Sequence, residues 1–243
     1  MLRDWRSQRR HSQLDLATRA NVSAKHLSYV ETGRARPSPE MILHLCQHLD
    51  VPLRERNSIL LAAGYAPHFS DSPIGQADAS ELQVLVDLVI SEHIFPTVVV
   101  DGQWNLVAAN AAASVFIELV APELLAPPVN VIRLSLHPDG LAPHVVNFAD
   151  YADHILDRVR RILDHHPDPT LQALLDEFGH LAQSGSHHQP GVLLPLVLRT
   201  DRGVISMFST IATFGAPHDA ALAELAVETF YPADDASRRL LTA

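Results

Sequence analysis

Several residue types and patterns are scarce in this 243-residue chain, and each scarcity excludes a class of protein. Cys46 is the single cysteine, so an intrachain disulfide is impossible and the reducing cytoplasm is the expected location. The apolar run Val192–Leu198 is interrupted by Pro195, and no run approaches the roughly 18 apolar residues of a membrane span. The basic start, MLRDWRSQRR, has no apolar stretch behind it, so a secretory signal is not expected.

Signatures of catalysis and metal binding are also missing. The chain has no glycine-rich phosphate loop, and Ser209 lies outside any G-x-S-x-G motif. His44 and His48 have the i, i+4 spacing of metal ligands on a helix, but no third ligand is near them in the sequence. The pairs His165–His166 and His187–His188 are predicted to lie in polar loops. We therefore expect no metal, no cofactor and no enzymatic activity.

Charge is distributed unevenly along the chain. Residues 1–66 contain ten basic and six acidic side chains, a net charge of +4. The remaining residues contain eight basic and 22 acidic side chains, a net charge of -14, which gives the chain its total of -10. A basic N-terminal head (residues 1–66) followed by an acidic remainder is typical of a DNA-binding module joined to a separate sensing module.

The segment Ser12–Pro37 predicts two short helices joined by a tight turn. The first helix is expected over Gln13–Ala20 with Ser12 as its N-cap, since a serine oxygen accepts from the free N–H groups of a first turn. Asn21 follows, and asparagine tolerates the left-handed conformation that a sharp turn requires. The second helix is expected over Ala24–Thr32, with Ser23 as its N-cap and Gly33 at its end.

The N-terminal part of the second helix carries small and polar side chains, as a helix that reads DNA bases in the major groove does. Two arginines follow it in a loop, where they are natural partners of phosphates. The candidate DNA-binding residues are Gln13, Ser23, Ala24, Lys25, His26, Ser28, Tyr29, Arg34 and Arg36. We expect Gln13 and Ser23 to fix the register on phosphates. Lys25 and His26, with Ser28 and Tyr29, are expected to contact bases or the adjacent backbone.

These residues resemble the helix-turn-helix of the lambda-repressor/Cro-like (XRE) family. Gln13 opens the first helix, Ala17 lies in the close contact between the helices, and LSYVETGRARPS resembles the run after the recognition helix. The family usually has glycine at the turn, where this chain has Asn21. The resemblance covers about 65 residues and implies a five-helix DNA-binding domain. A plain bundle containing two such helices was the alternative.

The other helices of this head have clear start and stop signals. The chain begins almost inside the first, Leu2–Arg10, so either a few native residues are expected before it or the start codon is misplaced. Ser38 and Pro39 start the fourth helix, and Leu53–Ala63 is the fifth, with Gly64 as its C-cap. The head is predicted to be residues 1–66, and the polar stretch 67–80 is predicted to be a linker.

The remaining chain shows mixed helix and strand patterns. Phe95–Asp101 and Trp104–Ala109 flank Gly102 as a β-hairpin, and Leu193–Thr200 and Val204–Phe214 form a second. Helices are predicted at 82–90, 110–119, 148–165, 171–182 and 221–229, and residues 237–243 are predicted to be a tail. The fold class is therefore an all-α DNA-binding domain followed by an α/β, PAS-like domain over residues 81–236.

The runs WNLVAANAAA, RLSLHPDGL and MFSTIATFGAPHDAALAELAVETFYPAD resemble the ligand-binding domain of MmyB-like regulators over nearly all of residues 80–236. The resemblance implies a transcription regulator that responds to a small effector. Fatty-acid-like molecules are among the effectors considered for the family.

A cavity between the sheet and its helices is the expected effector site. The candidate lining residues are Phe95, Val98, Val100, Trp104, Leu106, Asn110, Phe116, Leu134, His137, Phe148, Met207, Ser209 and Ile211. Most are apolar, which favours an apolar or aromatic effector. Asn110, Ser209 and His137 are the candidates for polar contacts.

The hypothesis is a homodimeric repressor that binds double-stranded operator DNA and is controlled by an apolar or fatty-acid-like effector. Two copies would read half-sites about one DNA turn apart. Two alternatives concern the C-terminal domain. It could only dimerise or bind another protein, or it could bind haem or flavin as a sensor.

Overall fold

The computed structural model describes residues 1–71, 81–182 and 193–242, which form two compact units. The first unit contains the described residues up to 71 together with Gly215–Ala223, and the second contains the other described residues. No helix in these three ranges is both long and apolar enough to cross a membrane.

The first unit contains the five helices that the sequence predicts. Their bounds are α1 (Leu2–Gln8), α2 (Gln13–Arg19), α3 (Ala24–Glu31), α4 (Pro39–His48) and α5 (Leu53–Ala62). The helices pack around fully buried side chains, among them Leu16, Leu27, Ile42, Leu45 and Leu60. The all-α head is therefore confirmed, with each helix within about two residues of its expected bounds.

Local chemistry explains where the helices begin and how the chain turns between them. The Ser12 hydroxyl accepts from the backbone N–H of Asp15, whose carboxylate accepts in return from Ser12, which completes a capping box. Ser23 and Ser38 cap α3 and α4 through their hydroxyl oxygens. Asn21 has φ +50°, the left-handed conformation expected at the turn.

The start of the predicted linker packs on helix α5. The Asn57 side chain accepts from the backbone N–H groups of His68 and Phe69 and donates to the carbonyl of Phe69. The Arg56 guanidinium lies 5.9 Å from the centre of the Phe69 ring. Residues 67–71 therefore extend the helical unit, while residues 72–80 of the predicted linker lie outside the described residues.

The second unit is built on a five-stranded antiparallel sheet with the order β2-β1-β5-β4-β3. The strands are β1 (Thr97–Val100), β2 (Leu106–Ala109), β3 (Leu196–Thr200), β4 (Gly203–Thr213) and β5 (Ala226–Pro232). Its helices are α6 (Glu81–Ser91), α7 (Ser114–Ile117), α8 (Val131–Leu136), α9 (Phe148–His165), α10 (Pro169–Phe178) and α12 (Asp235–Thr242). Helix α11 (Ala220–Glu224) belongs to the first unit except for its last residue. An α/β domain with two strand hairpins, as predicted, is confirmed.

One face of the sheet packs against the helical layer. Val98 on β1 is in register with Glu228 on β5, and Phe230 on β5 is in register with Ser209 on β4, so these side chains share a face. Helix α9 spans the residues predicted for it. Its inward residues Ile155, Leu156 and Val159 are buried in the same core.

Two predicted elements near the C-terminus are wrong. The predicted helix 221–229 ends at Glu224, and Ala226–Pro232 is instead the central strand of the sheet. The predicted tail is part of helix α12, which packs on β4 and β5. Ser237 of α12 is buried, and its hydroxyl accepts from the backbone N–H of Ser206.

Two other predicted elements differ in detail. The predicted helix 110–119 consists of a 3-10 turn, Ala111–Ala113, followed by the single helical turn α7. Trp104 was expected to begin a strand, but it has φ +65° in the turn before β2. The side chain of Trp104 is buried there.

Candidate functional site

Helix α3 presents the residues that were expected to contact DNA. Lys25 and Tyr29 are exposed on successive turns, with the Lys25 ammonium 5.8 Å from the centre of the Tyr29 ring. Ala24, His26 and Ser28 are half-buried beside them. Lys25 is the only lysine of the chain. The polar N-terminal half of this helix is therefore accessible, as groove binding requires.

A buried ion pair holds helix α3 in place. The Arg6 guanidinium donates to both carboxylate oxygens of Glu31, at 2.6 and 2.9 Å, and also to the carbonyl of His11. The Glu31 side chain is fully buried. Burial raises the pKa of Glu31, but the bonds from Arg6 and Gln13 and the charge of Arg6 outweigh it, so its pKa lies below the ordinary value. This pair ties α1 to α3.

Gln13 belongs to the same network. Its side-chain amide donates to Glu31 Oε2 at 2.7 Å, so the amide lies between α2 and α3. Gln13 was predicted to contact a phosphate, whereas in the structure its side-chain nitrogen already has a protein partner. Its role at DNA stays a prediction, and its observed role is to orient the two helices.

The two loop arginines have different environments. Arg34 is exposed, and Arg36 donates to the carbonyls of Ala63 and Gly64 at 3.0 and 3.4 Å. The Arg36 guanidinium also lies 4.7 Å from the centre of the Tyr65 ring. Arg36 therefore closes the C-terminal end of helix α5, where a cation also interacts favourably with the helix dipole.

The histidine pair on helix α4 has a structural contact. His44 Nε2 lies 2.7 Å from the carbonyl of Ala20, which can only accept, so Nε2 carries the proton. The His44 and His48 rings pack edge to face. Among the described residues, no group of three or more His, Cys, Asp and Glu side chains could hold a metal ion.

The second unit contains a cavity of about 110 Å³ between the sheet and helices α7, α8 and α9. The apolar lining residues are Val98, Trp104, Leu106, Ala109, Ala113, Phe116, Ile117, Val131, Ile132, Leu134, Leu141, Ile155, Leu194, Leu196 and Phe230. The polar lining residues are Ser135, Tyr151, His154, Arg158, Ser209 and Glu228. A mostly apolar wall with a few polar groups is typical of a small-molecule site.

Four of the polar lining residues form one cluster, which we call the Arg158 cluster: Arg158, Tyr151, His154 and Glu228. The Arg158 guanidinium lies 5.0 Å from the centre of the Trp104 ring, its Nη1 is 3.6 Å from Glu228 Oε1, and its Nη2 is 3.1 Å from His154 Nε2. Burial raises the pKa of Tyr151 to about 12, and the nearby carboxylate of Glu228 adds to this shift. Tyr151 therefore stays a neutral hydroxyl at neutral pH.

The comparison with protein families agrees with this geometry. A family model described as the MmyB-like transcription regulator ligand binding domain matches residues 84–243, about two thirds of the chain. The chain belongs to the MmyB-like transcription regulators. A helix-turn-helix domain model matches residues 1–59, so this MmyB-like protein is a DNA-binding transcription regulator with a ligand-binding domain. The comparison with curated proteins found no match.

Six of the predicted ligand-binding residues line the cavity of the MmyB-like domain. They are Val98, Trp104, Leu106, Phe116, Leu134 and Ser209. They come from β1, β2, β4, two helices and the turn before β2, so the sheet and the helical layer both contribute to the site, as expected.

The other seven predicted residues lie away from this cavity. Val100 and Met207 are fully buried in the core, and Phe148 packs against that core. Phe95 is also buried, where it packs on Tyr231 and Arg238, and Ile211, near the C-terminal end of β4, is 42% exposed. The alternation of side chains along a strand predicts which face of the sheet a residue lies on, but not whether it lines a cavity or packs in the core. This explains why these residues were predicted as cavity residues.

Asn110 and His137 were predicted to make polar contacts with the effector, but both lie outside the cavity and bond to backbone groups. The Asn110 side chain accepts from the N–H groups of Thr97 and Ala113 and donates to the carbonyls of His93 and Phe95. His137 Nδ1 accepts from the N–H of Asp139 within its own loop.

The Arg158 cluster is the part of the cavity wall that the sequence prediction missed. On helix α9 the residues 151, 154 or 155, and 158 share one face, and the prediction of Tyr151 and Ile155 as inward already placed Arg158 on that side. An arginine and a histidine on the inward face of a helix were the available signal. Glu228 gave no signal, because it was placed in a helix rather than in strand β5.

Proposed function

We propose that this regulator is a repressor whose operator affinity is controlled by a small effector in the cavity of its second unit. The proposal is supported by the presence of two features in one chain. The first unit has an accessible helix α3, and the second unit has a mostly apolar cavity that contains a polar cluster. The matched families are both regulatory, which supports a protein that is not an enzyme. The single buried Cys46 suits a place in the cytoplasm beside DNA.

Operator binding is proposed to use α3 in the major groove. Lys25, His26, Ser28 and Tyr29 would contact bases or the adjacent backbone, with Ala24 close to the groove floor. The residues proposed for phosphates are Gln13, Ser23, Arg34 and Arg36. A DNA-binding domain that occupies the operator blocks the access of other proteins to that DNA. Repression therefore needs no further contact surface, which is why we propose it.

A homodimer on a pseudo-palindromic operator is part of the proposal, since one α3 reads only a half-site. The second unit offers an apolar surface that suits association: Val84, Leu85 and Leu88 are all exposed on helix α6. The same surface supports the alternative that this domain works only in dimerisation or in binding another protein. Stabilisation of the domain by small molecules would favour the effector over that alternative.

The size of the cavity limits the effector. An apolar cavity of about 150 Å³ holds a benzene molecule, and this cavity is of the same order, about 110 Å³, and opens to solvent beside Ile117. The enclosed part therefore suits a compact ring or a short chain segment. A long fatty-acid chain would extend beyond the enclosed part, past Ile117, which is 41% exposed at the edge of the cavity.

The DNA part of the proposal is tested by removing one charge from α3. We expect Lys25→Ala to weaken binding to an operator selected from a random DNA library and to reduce the salt slope of the affinity by about 1. The matched control, Arg202→Ala, removes one exposed positive charge from the hairpin of β3 and β4 and should leave the affinity unchanged. Equal affinities for Lys25→Ala and the wild type would reject α3 as the DNA-binding helix.

A further inference from the structure

The wall of the cavity contains one positive and one negative side chain. Arg158 and Glu228 both line it, and their closest nitrogen and oxygen atoms are 3.6 Å apart, which is too long for a hydrogen bond. Their side chains are 24% and 9% exposed, so both are largely removed from water. The pair therefore has donor and acceptor capacity directed at the cavity.

The neighbours of the pair add no charge. Because a guanidinium can only donate, His154 Nε2 accepts from Arg158, so its proton lies on Nδ1 and the ring is neutral. Tyr151 is a neutral hydroxyl, as its raised pKa indicates. The charges that face the cavity from α9 and β5 are thus one guanidinium and one carboxylate, which sum to zero.

We propose that the effector carries a neutral polar end that accepts a hydrogen bond from Arg158 and donates one to Glu228. A carboxamide or a similar amide group has this pattern. This inference rests on the proposed function of the cavity as the effector site. It narrows the expected effectors and disfavours a free fatty acid.

Electrostatics gives the reason. A carboxylate in the cavity would be attracted by Arg158 and repelled by Glu228 from nearly the same distance, so the two interactions largely cancel. The loss of hydration on burying the charge would then be uncompensated. An ammonium or amidinium end meets the same problem with the signs reversed. A neutral amide loses less hydration and can bond to both side chains.

Three probes of nearly the same shape test the charge preference: benzamide, benzoate and benzamidine. Trp5 and Trp104 are the only tryptophans, and Trp104 lies against Arg158 in the cavity wall. In the full chain with Trp5→Phe, the fluorescence of Trp104 therefore reports occupancy. At neutral pH we expect benzamide to bind at least about tenfold more tightly than either charged probe.

Two variants each remove one charge from the wall, and Glu228→Gln does so while keeping the shape of the side chain. In Glu228→Gln the benzoate affinity should rise at least about tenfold relative to benzamide, because the repulsion is gone and Arg158 remains. In Arg158→Gln the same relative gain should go to benzamidine. Benzoate binding as tightly as benzamide to the wild type would overturn the inference. Equal changes for all three probes in Glu228→Gln would overturn it too, because the pair would then be structural only.

A variant with a blocked cavity tests the proposed function of the cavity separately from the inference about the effector. Ala109→Phe places a ring in the cavity from strand β2, with a thermal melt to confirm folding, and should abolish binding of all three probes. Binding that survives in Ala109→Phe, or no binding of any probe at millimolar concentration to the wild type, would overturn the cavity as the effector site. If the wild type binds benzoate most tightly and Ala109→Phe abolishes that binding, the cavity remains the effector site, and only the inference of a neutral polar end is overturned.

Discussion

At the scale of single residues, the buried carboxylate of Glu31 controls the position of helix α3, which is proposed to bind DNA. It accepts from Arg6 on α1 and from Gln13 on α2 while lying at the end of α3. Removing one partner of a buried pair leaves the other charge without compensation, which is more damaging than the pair itself is stabilising. The Arg6–Glu31–Gln13 network therefore positions helix α3 against α1 and α2.

We expect Glu31→Gln to lower the free energy of unfolding of the first unit by about 3 kcal/mol at neutral pH. Urea unfolding followed by Trp5 fluorescence, in a Trp104→Phe background, measures this. The same change of carboxyl to amide at Glu55 on α5 is the control and should shift stability by less than about 0.5 kcal/mol. A Glu31→Gln protein as stable as the control would show that the pair contributes little.

The effect of Glu31→Gln should also depend on pH. The pKa of Glu31 is below its ordinary value of 4.5 in the folded protein, so its stabilising contribution is present above that value. The contribution is lost as the pH falls through the lowered pKa. The difference in urea midpoint between wild type and Glu31→Gln should therefore shrink in acid, and a constant difference would contradict this assignment.

Asn110 was predicted to contact the effector, but its side chain instead bonds four backbone groups beside strand β1. Asn110→Asp would place an oxygen against the two carbonyls that now accept from the amide nitrogen. We expect a loss of about 2 kcal/mol in the stability of the second unit, read from the fluorescence of Trp104. The order of affinities for the three probes should not change, whereas a changed order would place Asn110 in the effector site.

At the scale of elements, the turn between α2 and α3 depends on one left-handed residue. Asn21 has φ +50°, where residues other than glycine, asparagine and aspartate are strained. We expect Asn21→Ala to destabilise the first unit by about 1 kcal/mol, and Asn21→Gly, which keeps the turn conformation accessible, to change it by less than half as much. Urea midpoints of the two variants, read from Trp5, decide this; equal losses would show that the asparagine side chain matters more than φ.

Local signals predicted the elements of the head well, because serine caps, Pro39 and glycine stops act within a few residues. Strand β5 shows the opposite case. Its residues follow Ala-Glu-Leu, which favour helix, and only pairing with β1 and β4 makes Ala226–Pro232 a strand. Contacts distant in sequence decided this element, and with it the position of Glu228, so this member of the polar cluster could not be found from the sequence.

At the scale of the whole molecule, the division of charge supports the proposed roles of residues 1–66 and of the rest of the chain. Residues 1–66 carry a net charge of +4 and the rest of the chain -14. Phosphates attract the first part and repel the second, so operator affinity should fall steeply with salt. Lys25, as the only lysine, allows a direct check. Operator DNA should protect it from amine acylation, and unprotected acylation would contradict binding through α3.

The most direct test of an effector-controlled regulator is the operator affinity of the full chain with and without a saturating cavity ligand. We expect benzamide, or a tighter amide found from it, to change the operator Kd of the wild type by at least about fivefold, the lower end of typical coupling between two sites. In Ala109→Phe, with its cavity blocked, the same ligand should have no effect. An operator Kd that stays the same while Trp104 reports a filled cavity would contradict control of DNA binding by the effector.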